Sequence, residues 1–280
     1  MYGEGAGGER MPPEYYSPAG EGVGSKIKYN LEGLIPIILI IIIVAFMGHT
    51  LGFWQIPFLG GEQPKEMLII GQPSSDLVYV LNENKDMVRY TIRTADKLAI
   101  NPREQLAQYD IVMLDQHMQT NKEVSRQLGE AVQDYVRTGG KFIIVMDSGI
   151  RRKGAADILG WEATFGDVIP VACDRAGPMN TPTCLQRTNV YGRIYRDKYN
   201  HPIMKGTEVA PPEESPPYFL ETLPVNPIGV QVAYVQDEST FGTYYPAIVE
   251  KKLVVGKSIY FGYDPGKTRG LFEETLKYLT

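Results

Sequence analysis

The sequence predicts an α/β domain, built on a mostly parallel sheet with helices on both faces and preceded by one transmembrane helix. Three observations predict it: a long uncharged apolar block near the amino terminus, short apolar runs that alternate with helix-period runs after it, and a strand pair followed by an amphipathic helix at the end. With 280 residues the chain is long enough for a sizeable core. Its formal net charge of -5 lacks the basic excess that neutralises phosphates, so no nucleic-acid partner is expected.

Residues 1–30 are rich in Gly, Pro, Glu, Ser and Tyr and nearly free of aliphatic side chains. Such a segment buries too little apolar surface to offset its ordering entropy, so it reads as a disordered tail. Residues 31–55 read as the transmembrane helix. No charge falls between Glu32 and Glu62, and the apolar stretch Leu34 to Trp54 gains roughly 0.3–0.6 kcal/mol per Ile, Leu, Val or Phe on insertion. At about 1.5 Å per residue it reaches across a hydrocarbon core of about 30 Å. Pro36 sits in the first turn, where its missing N–H is tolerated, and Trp54 is placed as an interfacial anchor. The long polar segment ahead of the block, and the absence of a small-residue cleavage site after it, argue against a signal peptide. Lys26 and Lys28 before the span, against Lys65 after it, place the amino terminus in the cytoplasm and the large carboxyl-terminal part outside. The expected setting is thus a cell membrane, with the bilayer and an envelope protein as partners.

Residues 56–64 are a linker, and 65–280 form the domain. Its first strand is 66–71, followed by a helix starting at Ser74 or Ser75. VRYTIRT is a second strand, NPREQLAQ a short helix, and 110–115 a third strand, each bounded by turn residues. The clearest helix follows: Thr120 and Glu123 fit a capping box, Val124, Leu128, Ala131, Val132, Tyr135 and Val136 share a face, and Gly139 and Gly140 end it. Residues 142–147 are the next strand. Residues 174–240 read as an irregular, proline-rich insertion with scattered strand signals. Order returns with strands at 246–253 and 257–264 and a final helix that turns Leu271, Phe272, Leu276 and Leu279 inward.

YDIVMLD, EAVQDYVRTGGKFIIVMDS, HPIMKG (201–206) and the run from Pro246 to Leu279 together resemble the class I glutamine amidotransferase-like fold, a flavodoxin-like sheet, and in particular its ThuA-like branches. YVRTGGKFIIV is also similar to domains that accompany membrane transport systems of the gliding-motility type. In true amidotransferases the resemblance implies a cysteine on a sharp turn after such a strand, with a later histidine and glutamate. Here that turn is Asp147, Ser148, Gly149, with no cysteine, and no His-x-Glu follows at His201. Glutamine hydrolysis is not expected, and the resemblance implies a pseudoenzyme acting as a binding or scaffold module.

In an open α/β sheet ligands bind at the carboxyl ends of strands, which brings Asp115, Gln116, His117, Asp147, Ser148 and Arg151 forward as ligand-binding candidates for a small polar molecule or a sugar. The competing enzyme reading is a hydrolase in which Ser148 or Asp147 acts with His117; it requires those groups within one hydrogen bond or one water of each other. The bland alternative is that Asp147 and Ser148 serve their own turn through backbone N–H groups. GYDPGKT (262–268) lacks the spacing of a phosphate-binding loop and reads as a tight turn at Asp264, Pro265 and Gly266. Cys173 and Cys184, the only cysteines, are a candidate disulfide in an oxidising compartment. No metal and no cofactor is expected, because no C-x-x-C or histidine cluster accompanies them.

Overall fold

The computed structural model describes residues 36, 38–44, 63–176, 181–240 and 242–280. The chain divides into two units, Met1–Glu62 and Gln63–Thr280. In the first, Pro36 and 38–44 are helical and exposed. The expected tail, the rest of the span 31–55 and the linker up to Glu62 lie outside the described residues. Among the described residues no helix is long and apolar enough to cross a membrane.

The second unit begins with β1 (Lys65–Gly71), α1 (Ser75–Glu83) and β2 (Val88–Arg93). Met67 to Ile70 of β1 are wholly buried, as expected for a strand covered on both faces, and each such side chain stabilises by about 1.5–3 kcal/mol. Ser74 caps α1, its hydroxyl accepting from the Leu77 N–H at 3.0 Å. Next come α2 (Pro102–Leu106), β3 (Ile111–Asp115), α3 (Arg126–Arg137) and β4 (Lys141–Val145). The cap of α3 is Ser125, which accepts from the Leu128 N–H, and not the expected Thr120. Glu123 and Val124 are drawn instead into a short ladder with Arg151 and Arg152.

After the short α4 (Glu162–Phe165), β5 (Thr188–Arg196), β6 (Val209–Ala210), β7 (Tyr218–Thr222), β8 (Val230–Asp237), β9 (Tyr244–Lys252) and β10 (Lys257–Phe261) complete the sheet, and α5 (Arg269–Leu279) closes the chain. Leu271, Phe272, Leu276 and Leu279 of α5 are all buried.

The main sheet has ten strands in the order β6-β5-β8-β9-β10-β4-β3-β1-β2, with β7 beside β5. The pairs β2-β1, β1-β3, β3-β4 and β4-β10 are parallel. Every pair beyond β10 is antiparallel. This corrects the expected flavodoxin-like, mostly parallel sheet behind a transmembrane helix: the sheet is mixed, with a parallel core and an antiparallel half. The stretch 174–240 supplies four strands of that half. Bulges at the β8-β9 pairing accommodate Pro246, which has no N–H to give a ladder.

Candidate functional site

The carboxyl ends of β1, β3, β4 and β10 meet at one edge, where the parallel ladders bring Gly71 beside Asp115 and Val145 beside Phe261. Gly71 has φ +129°, and a Cβ there would lie 2.0 Å from the Asp115 carbonyl oxygen, so only glycine lets β1 end against β3 in this way.

Asp115 ends β3 fully buried. Its Oδ1 lies 2.5 Å from His117 Nδ1 and also accepts from the His117 backbone N–H at 3.2 Å, while its Oδ2 has no partner among the described residues. His117 Nε2 faces Asp264 Oδ2 at 3.9 Å, just beyond hydrogen-bond length. Burial works against a charge on His117, but the Asp115 hydrogen bond and the charges of Asp115 and Asp264 outweigh it and raise its pKa. Burial raises Asp115 as well, against the pull of His117, so the two titrate as one unit. Asp264 is fixed in turn by the Ser74 hydroxyl at 3.0 Å and the Gly266 N–H at 2.9 Å.

The turn after β4 is sharp. Met146 adopts φ +49°, a conformation uncommon for a side-chain-bearing residue, and its N–H donates to Phe261 O. That strain turns Ser148 inward. Ser148 is wholly buried, and its Oγ accepts the Gln116 N–H at 2.7 Å; its carbonyl accepts from the Trp161 indole N–H at 2.8 Å. Gln116 returns the contact, its Oε1 accepting from the Gly149 N–H at 2.9 Å. Asp147 points the other way, into the Arg187 guanidinium, whose Nη2 lies 2.8 and 3.0 Å from its two oxygens, and toward Lys122 Nζ at 3.2 Å. Arg187 also donates to His117 O at 2.6 Å and pairs with Glu221 at 2.5 Å. Lys122 donates to the carbonyls of Gln116 and His117, and burial lowers its pKa.

Asp115, Gln116, His117, Asp147 and Ser148 are therefore brought together, but not as a nucleophile and base: the His117 ring meets Asp115 and Asp264, while Ser148 meets a backbone N–H. Arg151 is a correction. It is exposed on the small ladder with Glu123 and Leu159, and Arg187 occupies the place beside Asp147. Lys122, Arg187, Glu221, Asp264 and Ser74 are the members that sequence reasoning missed. The strand-end position of Asp264 was the one available signal.

Cys173 and Cys184 form a disulfide with Cα atoms 5.3 Å apart. It ends three residues before Arg187, so it helps fix the segment that carries the guanidinium. No group of three or more His, Cys, Asp or Glu suited to a metal ion occurs among the described residues.

No family model matches the chain, and no curated protein matches it. Among solved structures it is similar to the β-galactosidase of Rahnella sp. R3, with TM-score 0.50, 13% identity, and coverage of 77% of this chain and 31% of that one. The β-galactosidase of Bacillus circulans sp. alkalophilus gives TM-score 0.47 and 14% identity over 77% of this chain and 31% of that one. That of the Antarctic haloarchaeon Halorubrum lacusprofundi gives 0.48 and 11% over 77% and 30%. The chain spans about a third of these proteins' length, and at such identity the Rahnella likeness is one of fold alone. These likenesses are of fold alone, and with no matching family model they support neither the expected amidotransferase-like or ThuA-like assignment nor the expected pseudoenzyme role.

Proposed function

We propose that the domain binds a small polar ligand at the carboxyl edge of its parallel strands, and that Ser148 is not a nucleophile. The closure of Ser148 carries this reading. A nucleophilic serine needs a base within reach of its hydroxyl, yet Ser148 Oγ is buried on the Gln116 N–H and His117 is engaged by Asp115. Asp147 is no better placed, held between Arg187 and Lys122. The groups that remain partly open at this edge are the Arg187 guanidinium and the carboxylates of Asp147, Asp264 and Glu221. Cations and carboxylates are nearly balanced in the cluster, with Lys122, Arg187 and His117 against Asp115, Asp147, Asp264 and Glu221. Such a set suits a neutral or zwitterionic molecule better than a polyanion.

The test is a thermal-shift screen of the full-length chain against amino acids, neutral sugars and dicarboxylates. A saturable rise in Tm that Asp264→Asn removes supports the reading, since a ligand at about 100 times its Kd stabilises by about 2.7 kcal/mol. If no compound raises Tm, or the shift is unchanged in Asp264→Asn, the edge is not the ligand site.

A hydrolase is the second reading, favoured by the Asp115-oriented imidazole facing a second carboxylate and by the likeness in fold to about a third of a β-galactosidase. In it His117 handles the proton and water replaces the serine. It predicts that 4-nitrophenyl β-galactoside is cleaved by the wild type and by Ser148→Ala but not by His117→Asn. No release by the wild type sets it aside.

A further inference from the structure

The antiparallel half of the sheet carries a second feature. Tyr195 on β5 lies opposite Tyr234 on β8, and their rings stack with centroids 5.7 Å apart and planes 20° apart. Tyr244 on β9 stands against Tyr234 at 6.0 Å and 64°, so two rings make a corner. Tyr244 is 66% exposed, although a tyrosine on a sheet usually covers its ring against neighbours. Gln236 lies opposite Tyr244 across the β8-β9 ladder, and its amide makes no hydrogen bond among the described residues. Tyr234, Gln236 and Tyr244, with Asp197, Gln231 and Gly242, line a hollow of about 400 Å³. That volume falls within the range of small-ligand sites, about 300–1,000 Å³.

The lining selects a chemistry. The exposed face of Tyr244, negative at its π surface, attracts the weakly positive C–H groups of a partner. Beside it stand one carboxylate and two amides, which accept from and donate to hydroxyl groups. The lining holds no cation, and Asp197 repels phosphate or carboxylate groups. A ligand with an apolar C–H face, a rim of hydroxyls and no negative charge meets all three conditions.

We propose that this hollow is a saccharide-binding site that takes one ring of a neutral glycan against the exposed ring of Tyr244, with Tyr234 supporting that ring from beside and Gln236 and Asp197 bonded to the glycan's hydroxyls. It lies on β8, β9 and the residue after β5, not on the strand ends that carry His117, so it stands independently of the reading given for that edge.

The experiment uses the full-length chain on an array of neutral glycans that includes galactan, mannan and β-glucan fragments, followed by calorimetric titration with the fragment giving the strongest signal. The expected result is saturable binding that weakens at least about tenfold in Tyr244→Ala and in Gln236→Ala and is unchanged in Tyr79→Ala, which removes an exposed tyrosine from α1. Tyr244 and Gln236 make no core contact that folding requires, and unchanged Tm values check this. Absence of binding to every glycan on the array, or full binding by Tyr244→Ala, overturns the proposal. So does a concentration-dependent dimer that Tyr244→Ala abolishes, because the face then belongs to a second copy of the chain.

Discussion

Replacing Ser148 by alanine separates a structural hydroxyl from a catalytic one. The Oγ accepts the buried Gln116 N–H at 2.7 Å, and nothing else in the turn is positioned to take that proton. Deleting the acceptor leaves a desolvated donor, which costs about 1–3 kcal/mol. For a domain of this size each kcal/mol lowers Tm by about 2–4 °C, so Ser148→Ala is expected to melt roughly 2–12 °C below the wild type. Scanning calorimetry of the full-length chain measures it. Trp161→Phe, which removes both the indole N–H that donates to the Ser148 carbonyl and buried ring volume, should cost more than Ser148→Ala. Ligand binding should be unchanged at a temperature where both proteins are folded. An unaltered Tm would refute the reasoning, because it would mean that the hydroxyl is free for another task.

Three further outcomes follow from the geometry. The raised pKa of His117 means that its contribution to stability is fully present below its ordinary value near 6.5 and is lost as pH rises through the folded-state value above it; the Tm gap between wild type and His117→Asn should therefore narrow as pH is raised above about 6.5, and a widening gap would contradict the assignment. Replacing Cys173 and Cys184 by serine opens a short loop and should cost about 3 kcal/mol in chemical denaturation, with an unchanged midpoint counting against the bridge. Gly71→Ala forces a Cβ onto the Asp115 carbonyl at a backbone angle that alanine avoids, so a loss above about 3 kcal/mol is expected, and a urea midpoint like the wild type's would remove the close approach of β1 and β3.

The parallel core was legible because strands buried on both faces read as unbroken apolar runs: MLII in β1, IVML in β3 and FIIV in β4 leave little ambiguity. The antiparallel half was not. In β5 and β8 the outward positions carry tyrosine, glutamine and arginine, and prolines at 211, 212, 216, 217 and 224 interrupt the run, so the pattern resembles a loop until the pairing is seen. The cap of α3 went wrong for a related reason: Thr120 and Glu123 match a capping box locally, but a ladder to Arg151 and Arg152 outcompetes it. At the site, the strand-end rule brought Asp115, His117, Asp147 and Ser148 to one edge. It could not say which way each would turn, since the positive φ of Met146 sends Ser148 inward and Asp147 outward. Arg187 comes from a distant segment and Lys122 from the loop after β3, and no local periodicity links either to that edge.

The most direct test of the central claim is labelling of the full-length chain with a fluorophosphonate, which reacts with activated serines, followed by peptide mass spectrometry. The account predicts an unmodified Ser148, its hydroxyl buried on the Gln116 N–H. Stoichiometric label on Ser148 that disappears in His117→Asn would contradict it and make the edge a serine hydrolase site.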